Sequence, residues 1–471
     1  MTGFYGKDFD DEGNVIETAD PMPDEPKSEL GYARRLIAVY GDRLRYVPAW
    51  RRWLVWDGKR WAADITGQPA RWMKAIARRV TADALAVEDD RERRAALNIA
   101  RRGESSAGVS GALTLAGTES GVVVTPDDLD ADPFLLNCTN GTLDLRTGEL
   151  RGHDAADLLT KMTGAAYDPD AKGPEFTKFL GKIQPQQEMR DYLARLLGHA
   201  LEGRQAEHVM GIFWGAGANG KGTLTGSVDR ALGDYSDAAD PELLTARTFD
   251  AHPTGVADLF GLRLAILHES DQGRKLAEGT VKRLTGGDRV KARRMREDFW
   301  SFDPSHTFVM LTNHTPLVSG TDEGIWRRLR LVPFDVVVEP EERDEELPAK
   351  LALELEAILA WLVAGYFAWK AGGLADPKPV LDATRSYRDE SDALARFIEQ
   401  RCLTGKHFHV RSSELFSAWS KWCADEGEEP GTQTAFSTEL TNRGFDKRAT
   451  NRGKVWDGLG LATEGAGDEP E

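Results

Sequence analysis

A glycine-rich segment directly after an apolar run is the feature that most constrains this chain. The run HVMGIF predicts a buried strand, and WGAGANGKGT (Trp214 to Thr223) follows it at once, with a helix predicted from Lys221. Glycine takes positive φ without steric cost, so successive amides can point into one concavity, and the helix N-terminus adds partial positive charge. The segment therefore predicts a turn that holds nucleotide phosphates, with Lys221 reaching the β and γ phosphates.

The residue after this lysine departs from the usual phosphate-loop pattern. That pattern places Ser or Thr after GxxxxGK, whereas here Gly222 follows Lys221 and the hydroxyl comes one residue later, at Thr223. The pattern thus predicts phosphate binding and leaves the magnesium ligands open, and a glycine-rich turn that binds nothing is the alternative. The predicted phosphate cradle consists of Gly215, Ala216, Gly217, Ala218, Asn219, Gly220, Lys221, Gly222 and Thr223.

Length and cysteine usage bound the class of protein. The 471 residues are enough for roughly three domains of about 150 residues. Cys138, Cys402 and Cys423 lie far apart without CxxC spacing, which argues against a disulfide framework and suits a reducing compartment. No secretory signal is evident, and the apolar run at 357–369 is shorter than the roughly 20 residues of a membrane span. We therefore expect a buried helix there and a cytoplasmic protein.

The charge distribution matters more than its sum. A net charge of -17 argues against nucleic-acid binding, because Lys and Arg supply most non-specific affinity for phosphates. Acidic residues nevertheless crowd the two ends, while one compact cluster is basic. Its residues are either a solvated face or a DNA contact: Arg289, Lys291, Arg293, Arg294 and Arg296.

Polar residues end two further apolar strands, and two arginines precede another. LRLAILHES (Leu262 to Ser270) predicts a buried strand with Glu269 at its end. Glu269 is a candidate for the carboxylate that meets magnesium and the attacking water, with Asp271 as a second acid or a turn cap. SHTFVMLTNHTP leads to Asn313, which either orients the water or only forms a turn. Arg327 and Arg328 precede the apolar LRLVPF, and either stabilise phosphate charge in a neighbouring subunit or are surface cations.

The regions on either side of this core show weaker patterns. Asp57-Gly58, between segments of alternating aromatic residues, predicts a hairpin with a two-residue turn. The tryptophans on either side, Trp53, Trp56 and Trp61, either stack on bases or, as we prefer, fill a core. Residues 70–102 predict charged helices, and 103–132 predict a flexible connection. Near the C-terminus, two short amphipathic helices precede an alternating hairpin, and the cations expected to face duplex DNA there are Lys447, Arg448, Arg452 and Lys454.

Taken in order, these motifs resemble a superfamily 3 helicase of the phage and plasmid branch that is similar to the poxvirus primase-helicase. The resemblance implies Lys221 for phosphates, Glu269 as the Walker B acid, Asn313 as the sensor, and Arg327 or Arg328 as the arginine finger. It also implies ATP and Mg²⁺ as cofactors, with Thr223, Glu269 and Asp271 as metal ligands. The segment from Thr285 to Arg296 would be the hairpin that grips single-stranded DNA in a ring.

The resemblance also implies a domain order. The expected fold class is α/β, a P-loop (AAA+-like) ATPase core with a helical and small-sheet N-terminal domain and a C-terminal winged-helix domain. The predicted boundaries are an acidic disordered tail at 1–27, a helicase-associated domain at 28–165, a helical collar or linker at 166–205, the ATPase domain at 206–375, a helical linker at 376–398, a winged helix at 399–461 and an acidic tail at 462–471. No catalytic primase domain is recognisable.

The function implied is a ring-forming, ATP-dependent helicase in phage or mobile-element replication that translocates on single-stranded DNA, in the cytoplasm of the bacterial host if a phage encodes it. Expected partners are single-stranded and forked DNA, a homo-hexamer and a separate primase, with no membrane. Two alternatives stay open. In the first, the chain is an initiator or loader that binds DNA without processive unwinding. In the second, it is an unrelated phosphate-loop enzyme such as a small-molecule kinase. The Arg-rich segment before Asn313 argues against a kinase.

Overall fold

The computed structural model describes residues 8–9, 15–16, 22–246, 253–269, 274–294, 299–318, 322–426, 429–451 and 453–462. The strands in these ranges are β1 Asp8–Phe9, β2 Val15–Ile16, β3 Leu44–Val47, β4 Arg52–Trp56, β5 Trp61–Ala63, β6 Leu135–Cys138, β7 Gly141–Asp144, β8 Glu149–Arg151, β9 Met210–Trp214, β10 Ser236–Ala239, β11 Leu264–Glu269, β12 Val290–Ala292, β13 Trp300–Phe302, β14 Thr307–Thr312, β15 Leu329–Pro333, β16 Cys402–Arg411, β17 Asp446–Thr450 and β18 Gly453–Leu461. The helices are α1 Glu29–Tyr40, α2 Gln68–Leu85, α3 Asp90–Gly103, α4 Ser106–Ala116, α5 Pro174–Ile183, α6 Gln187–His199, α7 Lys221–Leu232, α8 Pro253–Ala257, α9 Glu278–Leu284, α10 Glu323–Trp326, α11 Leu347–Ala352, α12 Leu355–Gly372, α13 Lys378–Ser391, α14 Ala393–Arg401, α15 Ser412–Glu426 and α16 Gln433–Asn442.

A parallel sheet forms the centre of the molecule, in the order β10-β11-β14-β9-β15. Its strands are apolar on both faces, as parallel strands covered by helices usually are. Phe213 and Val309 pack into a core on the side of α6, α7 and α12, whereas Ile212 and Met310 pack into the core on the opposite side. The sheet is therefore buried on both sides.

Helix α12 confirms the buried helix that the apolar run predicted. It packs against α6, and glycines make the close approach feasible because a Cβ at Gly365 would lie 2.0 Å from the carbonyl oxygen of Ala194. No single helix in the described part of the chain is long and apolar enough to cross a membrane; segments 340–352 and 355–372 pass that test only as a pair bent by 85°.

Residues 103–132 contradict the predicted flexible connection, since α4 occupies part of this segment. The Ser105 hydroxyl accepts a hydrogen bond from the Gly108 amide at 3.0 Å and so caps the helix. Small residues allow α4 to lie close to α1 and α2, and Val109 and Ala112 are buried in their common core. A Gly/Ser-rich composition favoured a loop, but tertiary packing of small side chains outweighs this local tendency.

The hairpin of β4 and β5 is present, but its turn has four residues rather than the predicted two. Trp56 and Trp61 are paired across it, and the Asp57 carboxylate accepts from the amides of Lys59 and Arg60, both at 2.8 Å. Trp61 is fully buried, and its indole donates to the carbonyl of Ala155 at 2.8 Å. Packing, rather than base stacking, accounts for this tryptophan.

The C-terminal region contains a three-stranded sheet in the order β16-β18-β17, with α14, α15 and α16 packed on it. Helix α13, by contrast, covers the edge of the central sheet, where the Leu331 amide donates to the Thr384 hydroxyl at 3.0 Å. Arg330 also pairs with Asp376 at 2.7 Å. The segment predicted as a linker thus contributes one helix to the central sheet and one to the C-terminal core.

Candidate nucleotide and DNA site

The strand register brings the predicted catalytic segments to one edge of the sheet. Glu269 pairs with Thr312, and Thr312 in turn pairs with Trp214, so these residues form one row at the carboxyl ends of three neighbouring strands. Gly215 follows Trp214 directly, and Asn313 follows Thr312. Ligands of open parallel sheets bind outside the carboxyl ends of the strands, which makes this edge the candidate site.

The Lys221 ammonium joins two of these segments. It donates a hydrogen bond to the carbonyl of Gly215 at 2.6 Å and another to Oδ1 of Asn313 at 3.3 Å. The side chain is only 6% exposed, and burial lowers the pKa of the Lys221 ammonium below its usual value. An anion at this position would be favoured, because it would supply the countercharge that the buried ammonium lacks.

The loop before α7 has the backbone shape expected of an anion cradle. Gly220 has a φ of 80° at the N-cap of α7, and Ala218 has a φ of 62°. No side chain caps this helix among the described residues, so its first amides face the loop. Such amides and the helix dipole favour a phosphate.

Asn219 acquires a role that the sequence did not indicate. Its side-chain amide donates to the carbonyl of Ala216 at 2.5 Å and to that of Phe334 at 3.1 Å. A Cβ at Gly215 would lie 2.3 Å from the same Phe334 oxygen. The loop is therefore fixed against the end of β15, and the long sequence separation of Asn219 and Phe334 explains why no local pattern revealed this contact.

Two of the three predicted metal ligands, Glu269 and Asp271, have side chains outside the described part of the chain. Thr223 is half-buried in the first turn of α7. Across the described residues, no group of three or more His, Cys, Asp or Glu side chains has the arrangement of a metal site. The magnesium ligands therefore stay predictions.

The two arginines before β15 have different environments. Arg328 is half-buried; its Nε donates to the Thr285 hydroxyl at 3.1 Å and its Nη1 to the carbonyl of Gly324 at 2.6 Å. Arg327 is exposed, and its guanidinium makes no hydrogen bond within the described part of the chain. Both precede β15, which has five residues at about 3.3 Å each, so they lie roughly 15 Å from the edge that carries Lys221.

The described residues of the basic cluster, Arg289 to Arg294, lie on or beside the antiparallel hairpin formed by β12 and β13. The inner face, with Ala292 and Trp300 as a register pair, is buried against the core. Arg289, Lys291 and Arg293 alternate with these positions and so share the outer face. Arg289 is engaged there, because its Nη2 donates to Asp127 at 2.7 Å and to the Ser301 carbonyl at 2.8 Å.

The remaining cations of the predicted DNA contacts divide into three groups. Arg294 lines a groove between the β3-β4-β5 sheet and the central sheet, with a volume of about 1560 Å³. Lys447 faces α16 and donates to the Ser437 hydroxyl at 2.8 Å, whereas Arg448 is exposed and pairs with Asp457 at 2.5 Å. Arg296 and Arg452 lie outside the described residues.

Three family profiles match successive parts of the chain. A profile described as D5 N terminal like matches residues 33–185, a family of unknown function matches 213–328, and a profile described as Poxvirus D5 protein-like matches 389–457. The second of these contains the glycine-rich loop, Glu269, Asn313 and both arginines.

Proteins of large DNA viruses are similar over the central part of the chain. A protein of Acanthamoeba polyphaga mimivirus, provisionally named a helicase, is 29% identical over 58% of this chain and 31% of its own length. A protein of African swine fever virus (isolate Tick/Malawi/Lil 20-1/1983), provisionally named a primase, is 25% identical over 62% of this chain and 34% of its own. The chain spans about a third of the length of these curated relatives.

A solved structure shares the fold. The C-terminal region of NrS-1 covers 93% of this chain and 100% of its own at a TM-score of 0.51, with 11% identity. Fold and edge geometry thus define a mixed α/β protein with a parallel five-stranded sheet and a candidate ligand site at the carboxyl ends of its strands. With its D5 N terminal like and Poxvirus D5 protein-like domains, the chain fits a primase-helicase-like family.

Proposed function

We propose that this protein is an ATP-dependent DNA helicase of phage or mobile-element replication that works as a ring of identical subunits. The observation that carries the proposal is the buried Lys221 ammonium, which bridges Gly215 of the glycine-rich loop and Asn313 of the neighbouring strand. The helicase and primase names of the relatives support the same class.

In the proposal, the glycine-rich loop and the first turn of α7 bind the phosphates. The αL conformation of Gly220 and the uncapped amides of α7 suit the phosphates of ATP. Lys221 would exchange its present hydrogen bonds for β- and γ-phosphate oxygens. A phosphate would also raise the lowered pKa of Lys221, so the ammonium would stay charged when ATP binds.

Hydrolysis requires groups that orient water and stabilise charge. In the proposal, Glu269 at the end of β11 polarises the attacking water and Asn313 orients it or contacts the γ phosphate. Mg²⁺ would supply further charge stabilisation, with Thr223, Glu269 and Asp271 as its candidate ligands. Arg327 would complete the site of the neighbouring subunit, because its own site lies at the opposite edge of the sheet.

DNA contact is proposed at two places. The outer face of the β12–β13 hairpin, with Lys291 and Arg293, would hold single-stranded DNA in the channel of the ring. The C-terminal region, proposed as a winged helix, would contact duplex DNA through Arg448 and Lys454, both of which are exposed. A separate primase and forked DNA complete the set of proposed partners.

The primary test is ATP hydrolysis by Lys221→Ala, which is expected to abolish DNA-stimulated turnover. Lys378→Ala is the matched control, because that side chain is 84% exposed and belongs to α13, which contributes no residue to the predicted phosphate cradle. Undiminished turnover of Lys221→Ala would refute the proposed site. Unwinding of a forked duplex then separates a helicase from a loader that only hydrolyses ATP during assembly.

A further inference from the structure

Phe299 is an exposed aromatic side chain beside two cations of the hairpin. Its side chain is 49% exposed, the Lys291 Nζ lies 4.7 Å from its ring centroid, and the Arg293 guanidinium carbon lies 4.6 Å from it. Since Ala292 pairs with Trp300, the next opposed positions are Arg293 and Phe299, and both belong to the outer face. The hairpin thus presents an aromatic ring and two cations together.

The hairpin core does not account for this ring. Trp300 and Phe302, on the inner face, already fill the core and stack edge-on against Phe260 at 5.0 and 5.5 Å. Phe299 adds little to that core, because about half of its surface stays in water. The Lys291 and Arg293 side chains lie against this ring, because a cation over an aromatic face is attracted by the ring quadrupole.

This combination matches one ligand chemistry. Proteins that bind single strands without sequence preference combine cations that follow the phosphates with aromatic rings on which bases stack. A basic face alone would serve any polyanion, and an exposed ring alone would need no ligand. Together, on one face of a two-stranded ribbon, they favour a polymer that carries phosphates and flat bases at once.

We propose that Phe299 is a base-stacking residue, which contacts a base of single-stranded DNA while Lys291 and Arg293 contact the flanking phosphates. The inference rests on the proposed DNA contact of the hairpin and adds to it a contact with the bases. It also implies tolerance of sequence, because every base offers an aromatic face.

The test compares the binding of two oligonucleotides, a thymidine homopolymer and the same length of abasic phosphodiester, in the presence of a slowly hydrolysed ATP analogue. Phe299→Leu, which keeps an apolar side chain without a ring, should weaken binding of the thymidine strand by about 5- to 150-fold. Binding of the abasic strand should change little, and Phe299→Tyr should restore binding of the thymidine strand. Thermal unfolding of each variant verifies the fold.

The salt dependence separates stacking from phosphate contact. For Lys291→Ala, both strands should bind more weakly, and the slope of log K against log salt should fall by about 0.7. For Phe299→Leu, that slope should not change. Equal weakening of both strands by Phe299→Leu, or normal binding of the thymidine strand, would overturn the stacking role alone. Normal binding by Lys291→Ala combined with Arg293→Ala would instead overturn the hairpin contact and the inference with it.

Discussion

A mixture of two inactive variants tests whether Arg327 acts on a neighbouring subunit. Arg327 lies at the end of the sheet opposite to Lys221, about 15 Å away along β15 by its five residues. It therefore cannot reach the phosphates held by its own subunit. Arg327→Ala alone should lower turnover by about 10³-fold or more, the usual effect of losing an arginine finger, with little change in thermal stability.

Random mixing of the two variants sets how much ATP turnover is recovered. In an equal mixture of Arg327→Ala and Lys221→Ala subunits, a competent site needs an intact lysine from one copy and an intact arginine from the next. Random assembly provides this combination at about one quarter of the interfaces, because a head-to-tail ring repeats one contact. ATP turnover should therefore recover to about one quarter of the wild-type value, measured after the variants are mixed before assembly.

The control is Arg328→Ala, because the structure gives this residue a role within its own subunit. Loss of its hydrogen bonds to Thr285 and Gly324 should destabilise the fold by about 1.5–3 kcal/mol for each. Every interface in a mixture of Arg328→Ala with Lys221→Ala keeps an Arg327, so its turnover should not exceed the contribution that the Arg328→Ala subunits make when they assemble alone. Recovery with Arg328→Ala and none with Arg327→Ala would refute the assignment.

Two further predictions concern magnesium and pH. Gly222→Ser restores the hydroxyl that usually follows the phosphate-loop lysine, and a Cβ at this position meets no described atom within 4 Å. Because this hydroxyl is a magnesium ligand in the usual pattern, half-maximal ATPase activity should need a lower Mg²⁺ concentration. An unchanged Mg²⁺ titration would contradict this prediction. Burial lowers the pKa of His306 from 6.5 to about 4. Between pH 6.5 and about 4 the unfolded chain therefore binds a proton that the folded chain does not, so the free energy of unfolding falls as the pH drops through this range. Between pH 7.5 and 5.0, His306→Met should remove about 2 kcal/mol of this fall, measured by urea unfolding. An equal fall in the wild-type and variant proteins would contradict the prediction.

The sequence was sufficient for elements whose signal is local. Strands β9, β11 and β14 are continuous apolar runs, and the glycine pattern marks the turn after β9. Helix α4 was missed because its packing depends on small side chains that meet α1 and α2, which no short window reveals. The turn at Asp57 was misjudged because its carboxylate stabilises a four-residue loop through two amides.

In the candidate site, too, local sequence signals were predictable and contacts that depend on the tertiary structure were not. Lys221 was assigned from spacing, yet its hydrogen bond to Asn313 depends on the order of the strands. The sequence treated Arg327 and Arg328 alike, because adjacent arginines differ only once a helix end and Thr285 have been placed. Lys447 illustrates the reverse case: a cation in a predicted wing faces α16, because alternation along β17 directs it there.

The position of β15 has a consequence for regulation. Under the proposed function, one subunit would hold the phosphates and lack the arginine, which assembly would supply, because β15 separates Lys221 from Arg327. Turnover per subunit should therefore rise with protein concentration and with any DNA that promotes assembly. Arg289 adds a link to the N-terminal region through Asp127, so the hairpin that is proposed to hold DNA contacts the same subunit at both its base and its buried inner face. Movement of the hairpin along DNA would then break the exposed ion pair between Arg289 and Asp127, which contributes little to stability. The aromatic contacts of its inner face, which contribute more, would stay intact.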